Sequence, residues 1–192
     1  IMPDAEMSMY ADMRCGQRYG EYIGQELPER IRQMFQLNTD RDHLSIGGLS
    51  MGGYGAVKFA LQYPETFGRC ASFSGALMIG SNDHLRDLRE WKDPGRGDAY
   101  IEMEEINRSM YYGAKGAFGE DFAYEPSHDL SYLAGQLVKS GKKLPEFLFT
   151  CGTEDFLFSV NQEFMEKLTQ LGIPHSFYTW PGIHNWLFWE ES

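Results

Sequence analysis

The chain has 192 residues, 42% of them hydrophobic and 15% aromatic, and its 17 Lys and Arg against 28 Asp and Glu leave a net charge of −11. This is a globular composition, large enough for one well-buried domain, and its acidity excludes a nucleic-acid-binding surface built from clustered Lys and Arg. No apolar run reaches the ~18–20 residues that would span a bilayer, so no membrane partner is expected.

The opening Ile1-Met2-Pro3-Asp4 reads as the end of a buried strand running into a loop. In the next segment Ile23, Leu27, Ile31, Met34 and Phe35 recur at spacings of three and four, which predicts one helical face over 20–37. Pro28 should start or kink that helix, and Asn38-Thr39-Asp40 should end it. His43 to Leu49 is a short strand running into glycines. Gly53 to Gln62 is a small-residue helix stopped at Tyr63-Pro64, and Cys70 to Ser74 is a second short strand.

Residues 81–130 are charged, Gly-rich and weakly periodic. They are expected to form an insertion over the sheet within a single domain spanning 1–192. A turn is expected at Trp91-Lys92-Asp93-Pro94-Gly95, and short helices at Ile101–Tyr112 and Leu130–Val138. Glu146 to Cys151 reads as a buried strand. Val160, Phe164, Leu168 and Leu171 form a helical stripe closed by Gly172 and Pro174. Ser176 to Trp180 is the last strand. This alternation implies an α/β fold, a parallel sheet with crossover helices.

The strongest chemical signal is Gly48-Leu49-Ser50-Met51-Gly52, with a strand before it and a helix after it. A serine at such a turn projects its hydroxyl from the carboxyl end of a sheet, while the helix N-terminus favours a developing oxyanion. The Met51 N–H would point the same way. The plainer alternative is a glycine-rich turn whose serine caps the helix.

A nucleophilic serine needs a base, and the base needs an orienting acid, here in the order Ser, Asp or Glu, His. Asp155 follows the Glu146–Cys151 strand and His184 follows the last strand, so Ser50, Asp155 and His184 are the candidate catalytic residues. Glu154 is the nearest rival for the acid. His43 and His175 precede strands, and His84 and His128 lie in the 81–130 segment.

Trp186 is close enough to His184 in sequence to wall a substrate pocket, whereas Trp189 is expected to pack a C-terminal helix on the body. Met7, Met9, Tyr10 and Met13 fall either along the cleft or on a surface segment. Cys15, Cys70 and Cys151 have neither CxxC nor zinc-ligand spacing. Two of them sit in apolar runs, where a free buried thiol is the expectation. A reducing, cytoplasmic setting follows, and no metal or cofactor is expected.

With Met2-Pro3-Asp4, Gly48 to Ala56 (GLSMGGYGA), Cys151 to Leu157 (CGTEDFL) and Pro181 to Trp189 (PGIHNWLFW), the chain resembles the esterase D-type branch of the α/β-hydrolases. That branch includes S-formylglutathione hydrolases and tributyrin-type carboxylesterases. The resemblance implies Ser50 as nucleophile, Asp155 as acid, His184 as base and the Met51 N–H as one oxyanion donor. It also implies a longer enzyme, whose preceding strands flank the Ser50 strand and whose preceding His-Gly loop holds the second donor.

The expected activity is hydrolysis of short acyl esters, with a small-molecule ester as partner and self-association left open. Two alternatives stand beside it. One is S-formylglutathione hydrolysis or acyl transfer by the same three residues, and the other is a non-catalytic binding protein that keeps the turn.

Overall fold

The computed structural model describes residues 1–14, 16–91 and 102–192. Among them a four-stranded sheet runs β1 (Ser45–Leu49), β2 (Arg69–Phe73), β3 (Glu146–Gly152) and β4 (His175–Trp180), adjacent in that order and all parallel. In register, Ile46, Cys70, Phe147 and His175 lie across from one another, as do Leu49, Phe73, Thr150 and Tyr178. The carboxyl ends of all four strands therefore open on one rim. The four strands expected from His43 onward are each present within two residues of the expected start, whereas Ile1 to Asp4 form no strand, and Ile1 and Met2 are exposed because no described element covers them.

The opening segment enters a continuous helical run: α1 (Tyr19–Glu21), a π-helical turn (Tyr22–Glu26) and α2 (Leu27–Phe35). Pro28 sits where the run passes from the π-helical turn into α2, and having no N–H it donates nothing to the preceding turn. The apolar stripe predicted here is only partly used. Ile23 is buried, but Met34 and Phe35 are 71% and 55% exposed, because no described element covers the last turn of α2.

The remaining helices are α3 (Met51–Gln62), α4 (Asn82–Glu90), α5 (Glu102–Phe118), α6 (Leu130–Ser140), α7 (Phe158–Gln170) and α8 (Trp186–Glu190). Asp129 caps α6 by accepting from the Ser131 and Tyr132 N–H groups, an arrangement worth about 1 kcal/mol. At the end of α7 the Gly172 N–H bonds Thr169 O and the Ile173 N–H bonds Leu168 O, so Gly172 closes the helix as its position predicts. The turn expected at 92–95 and the thiol of Cys15 lie outside the described residues. Cys70 and Cys151 are free and buried.

α3 packs across β1 and β2, α7 across β3 and β4, and α6 bridges α3 and α7. The core lies between this layer and the sheet, where Val57, Phe149 and Leu168 are fully buried. Each such side chain contributes about 1.5–3 kcal/mol. Leu85 of α4 and Ala114, Ala117 and Phe118 of α5 join the same core. β1 pairs with β2 and has no second strand partner among the described residues. None of the described helices is long and apolar enough to cross a membrane.

Lys58 of α3 is buried, donating to the Tyr10 carbonyl at 2.8 Å and lying 3.0 Å from His128 Nδ1. It pins the opening segment and the His128 turn to α3. Burial pushes its pKa down to about 7, against the opposing pull of Asp12 and Glu125. A lysine depressed on folding releases its proton at lower pH in the native state than in the unfolded chain, so stability must rise with pH above ~7. Thermal melts should show a higher midpoint at about pH 9 than at about pH 7, and Lys58→Met should flatten that slope. An unchanged slope in the variant would remove Lys58 as its source.

Candidate active site

Ser50 stands between β1 and α3 with φ 53° and ψ −120°, a conformation that costs a non-glycine residue roughly 1–3 kcal/mol. The surrounding backbone enforces it. The Ser50 N–H bonds Phe73 O at 2.9 Å, and Ser50 O accepts from the Ala76 and Tyr54 N–H groups at 3.0 and 3.2 Å. A Cβ on Gly48 would run into the Gly52 backbone, so the strand can enter the helix this closely only with glycine there. The Ser50 side chain makes no capping bond to α3; its Oγ instead lies 3.0 Å from His184 Nε2.

His184 and Asp155 come from the loops after β4 and β3. The two loops are zipped together, Thr153 N–H to Trp180 O and Glu154 N–H to Gly182 O, both at 3.0 Å. Gly152 makes that approach possible, since any Cβ there would strike Gly182 O. On the far side of His184, Asn185 caps α8 by accepting from the Phe188 N–H at 3.1 Å. Asp155 Oδ2 then meets His184 Nδ1 at 2.8 Å, and Asp155 Oδ1 accepts the Leu157 N–H at 2.9 Å.

The Asp155 side chain is fully buried, while that of His184 is 17% exposed. Burial alone would raise the Asp155 carboxyl pKa. Hydrogen bonds to His184 and the Leu157 N–H, with the neighbouring Ser74 hydroxyl adding to them, outweigh it and hold the group below the usual carboxylate range. Its rival Glu154 is exposed.

The other histidines lie elsewhere. His43 contacts Asn38, His84 lies 3.4 Å from the Gly80 N–H, His128 is buried with Lys58, and His175 binds the Ile173 carbonyl. Ser50, Asp155 and His184 are thus one hydrogen-bonded line, and Met51 opens the 12-residue α3 beside it. The N–H groups of that first turn have no intrahelical acceptor. Among the described residues no three His, Cys, Asp or Glu side chains cluster as metal ligands.

Aromatic side chains flank His184. Trp189 meets its ring edge-on at 4.8 Å and touches Trp186 at 5.4 Å. Trp189 therefore packs on the site and not merely on the body. Trp186 itself is 66% exposed. Phe156, next to Asp155 in sequence but missed by the motif reading, lies 4.7 Å from the His184 ring and is 69% exposed. In the opening segment Met9 is buried in the core. Tyr10 packs over Gly55, its hydroxyl 3.3 Å from where a Gly52 Cβ would stand.

A parallel sheet with crossover helices, a strained serine at a strand-to-helix turn and a histidine and carboxylate on the following loops define an α/β-hydrolase. The model of the putative esterase family matches residues 8–192, and the chain belongs to that family. It is 30% identical over 193 residues to an acetyl esterase of Caldicellulosiruptor saccharolyticus, covering 100% of this chain and 67% of the relative.

Among solved structures it is similar to the fluorophosphonate-binding serine hydrolase F of Staphylococcus aureus, with TM-score 0.80 and 31% identity over 99% of this chain and 66% of the other. It is also similar to the S-formylglutathione hydrolase of Staphylococcus aureus, with TM-score 0.75 and 29% identity over the same shares. The chain thus spans about two thirds of the length of each of these relatives.

Proposed function

We propose that the protein is a serine carboxylic-ester hydrolase acting on short acyl esters through an acyl-enzyme intermediate. The observation that carries this reading is the line Ser50 Oγ, His184 Nε2, His184 Nδ1 and Asp155 Oδ2, joined at 3.0 and 2.8 Å in a member of the esterase family. His184 takes the Ser50 proton as Oγ attacks the ester carbonyl, and Asp155 keeps the imidazole in the tautomer whose Nε2 can accept it. The Met51 N–H stabilises the tetrahedral oxyanion. His184 then gives the proton to the departing alcohol, and water repeats the cycle on the acyl group. In this reading Trp186, exposed and in contact with Trp189, walls the substrate; the Trp189 contact with the His184 ring supports it.

The preference for short acyl groups rests on the acetyl esterase relative. Likeness to an S-formylglutathione hydrolase supports a second reading, thioester hydrolysis by the same residues. Rates on S-formylglutathione against p-nitrophenyl acetate separate the two. The mechanism itself is tested with a fluorophosphonate probe. The expected result is stoichiometric labelling at Ser50 and none in Ser50→Ala; a folded wild-type protein that stays unlabelled would favour a binding protein that retains the turn.

A further inference from the structure

Ser74 directly follows β2 in a conformation that its residue type rarely adopts. Its φ is 47°, and its side chain is fully buried. The segment around it is fixed from three sides. Phe73 O and the Ala76 N–H clasp the Ser50 backbone at 2.9 and 3.0 Å, the Ser74 N–H donates to Thr150 O at 2.7 Å, and Asn161 Nδ2 of α7 donates to Gly75 O at 2.9 Å. Because Phe73 pairs with Thr150, position 74 runs beside Cys151, one turn from Asp155.

Two groups short of hydrogen-bond partners lie near each other here. The buried Asp155 carboxylate has room for about four hydrogen bonds and has two of standard geometry, from His184 and the Leu157 N–H. The buried Ser74 hydroxyl makes no hydrogen bond of standard geometry, yet it interacts with both the Asp155 carboxylate and the Cys151 thiol. Leaving a bond unmade on either buried group is costly, because neither can turn to water instead. The Cys151 thiol is a poor competitor, because burial first and the Asp155 charge second push its pKa up to about 12.

From this geometry we infer that Ser74 is a positioning residue, whose hydroxyl donates to the Asp155 carboxylate and, from the turn that clasps Ser50, fixes the acid relative to the nucleophile. The inference builds on the proposed roles of Ser50, His184 and Asp155. It explains why a residue with a Cβ occupies a left-handed position that glycine would fill without strain.

The test compares Ser74→Ala and Ser74→Gly in the intact protein, with folding followed by circular dichroism. Alanine removes the hydroxyl and keeps the strain, whereas glycine removes both. Both variants should lose about tenfold in kcat on p-nitrophenyl acetate with KM little changed. In both, the carboxyl titration of Asp155, followed by ¹³C NMR and identified by its absence from Asp155→Asn, should move to higher pH. Wild-type kcat in Ser74→Gly would show that only the backbone conformation matters and would overturn the inference, as would an unmoved Asp155 titration. The titration needs no turnover, so it still tests Ser74 if the protein proves not to hydrolyse esters.

Discussion

Ser50→Ala is expected to lower kcat on a short p-nitrophenyl ester by at least about 10⁴-fold, with KM nearly unchanged. The size follows from the chemistry, since alanine offers no oxygen to form the acyl-enzyme and His184 is left with nothing to deprotonate but water. Residual turnover would come from whatever binding and oxyanion stabilisation survive. The fold should persist, because alanine carries the same Cβ as serine at φ 53° and the backbone bonds from Phe73 and Ala76 do not involve the hydroxyl. Kinetics and a thermal melt on the same preparation check both halves. Turnover within about tenfold of wild type would reject Ser50 as the nucleophile.

Asp155→Asn should cost about 10⁴-fold in kcat, and the reason is directional. Position 155 faces two partners, the Leu157 N–H on one oxygen and His184 Nδ1 on the other. In asparagine the amide oxygen must turn to the Leu157 donor, which leaves the NH₂ facing His184 Nδ1. That nitrogen must then accept, the ring proton moves to Nε2, and the nitrogen facing Ser50 Oγ at 3.0 Å can no longer take a proton. Shape and packing hardly change, so stability should fall far less than activity. A variant with near-wild-type kcat would show that Asp155 does not orient the base.

Much of this arrangement is legible in the sequence because its determinants are local. The strand-to-helix turn at Ser50 needs glycine at 48 and has glycines again at 52 and 53, the strands are short apolar runs, and the order of Ser50, Asp155 and His184 follows from a parallel sheet whose loops gather at one rim. Gly172 announces a helix end in the same local way. Other features depend on residues far apart in sequence. The apolar stripe of α2 correctly predicts a helix but not that Met34 and Phe35 stay exposed, since burial requires a partner surface and periodicity does not say whether one exists. Lys58 reads as an ordinary helical lysine until the Tyr10 carbonyl and His128 close over it. Phe156 stands next to a readable motif, and its contact with His184 arises only when the loops after β3 and β4 are brought together.

Length, composition and charge alone specify an acidic globular chain of adequate size for one domain. The sequence alone determined the α/β class and the three candidate catalytic residues, because backbone conformation and strand order are written in short-range patterns. The tertiary structure decided the distances that join those residues in one hydrogen-bonded line. It also revealed the buried neighbours of Asp155, because charge and hydrogen-bond satisfaction depend on what the folded chain packs around a side chain.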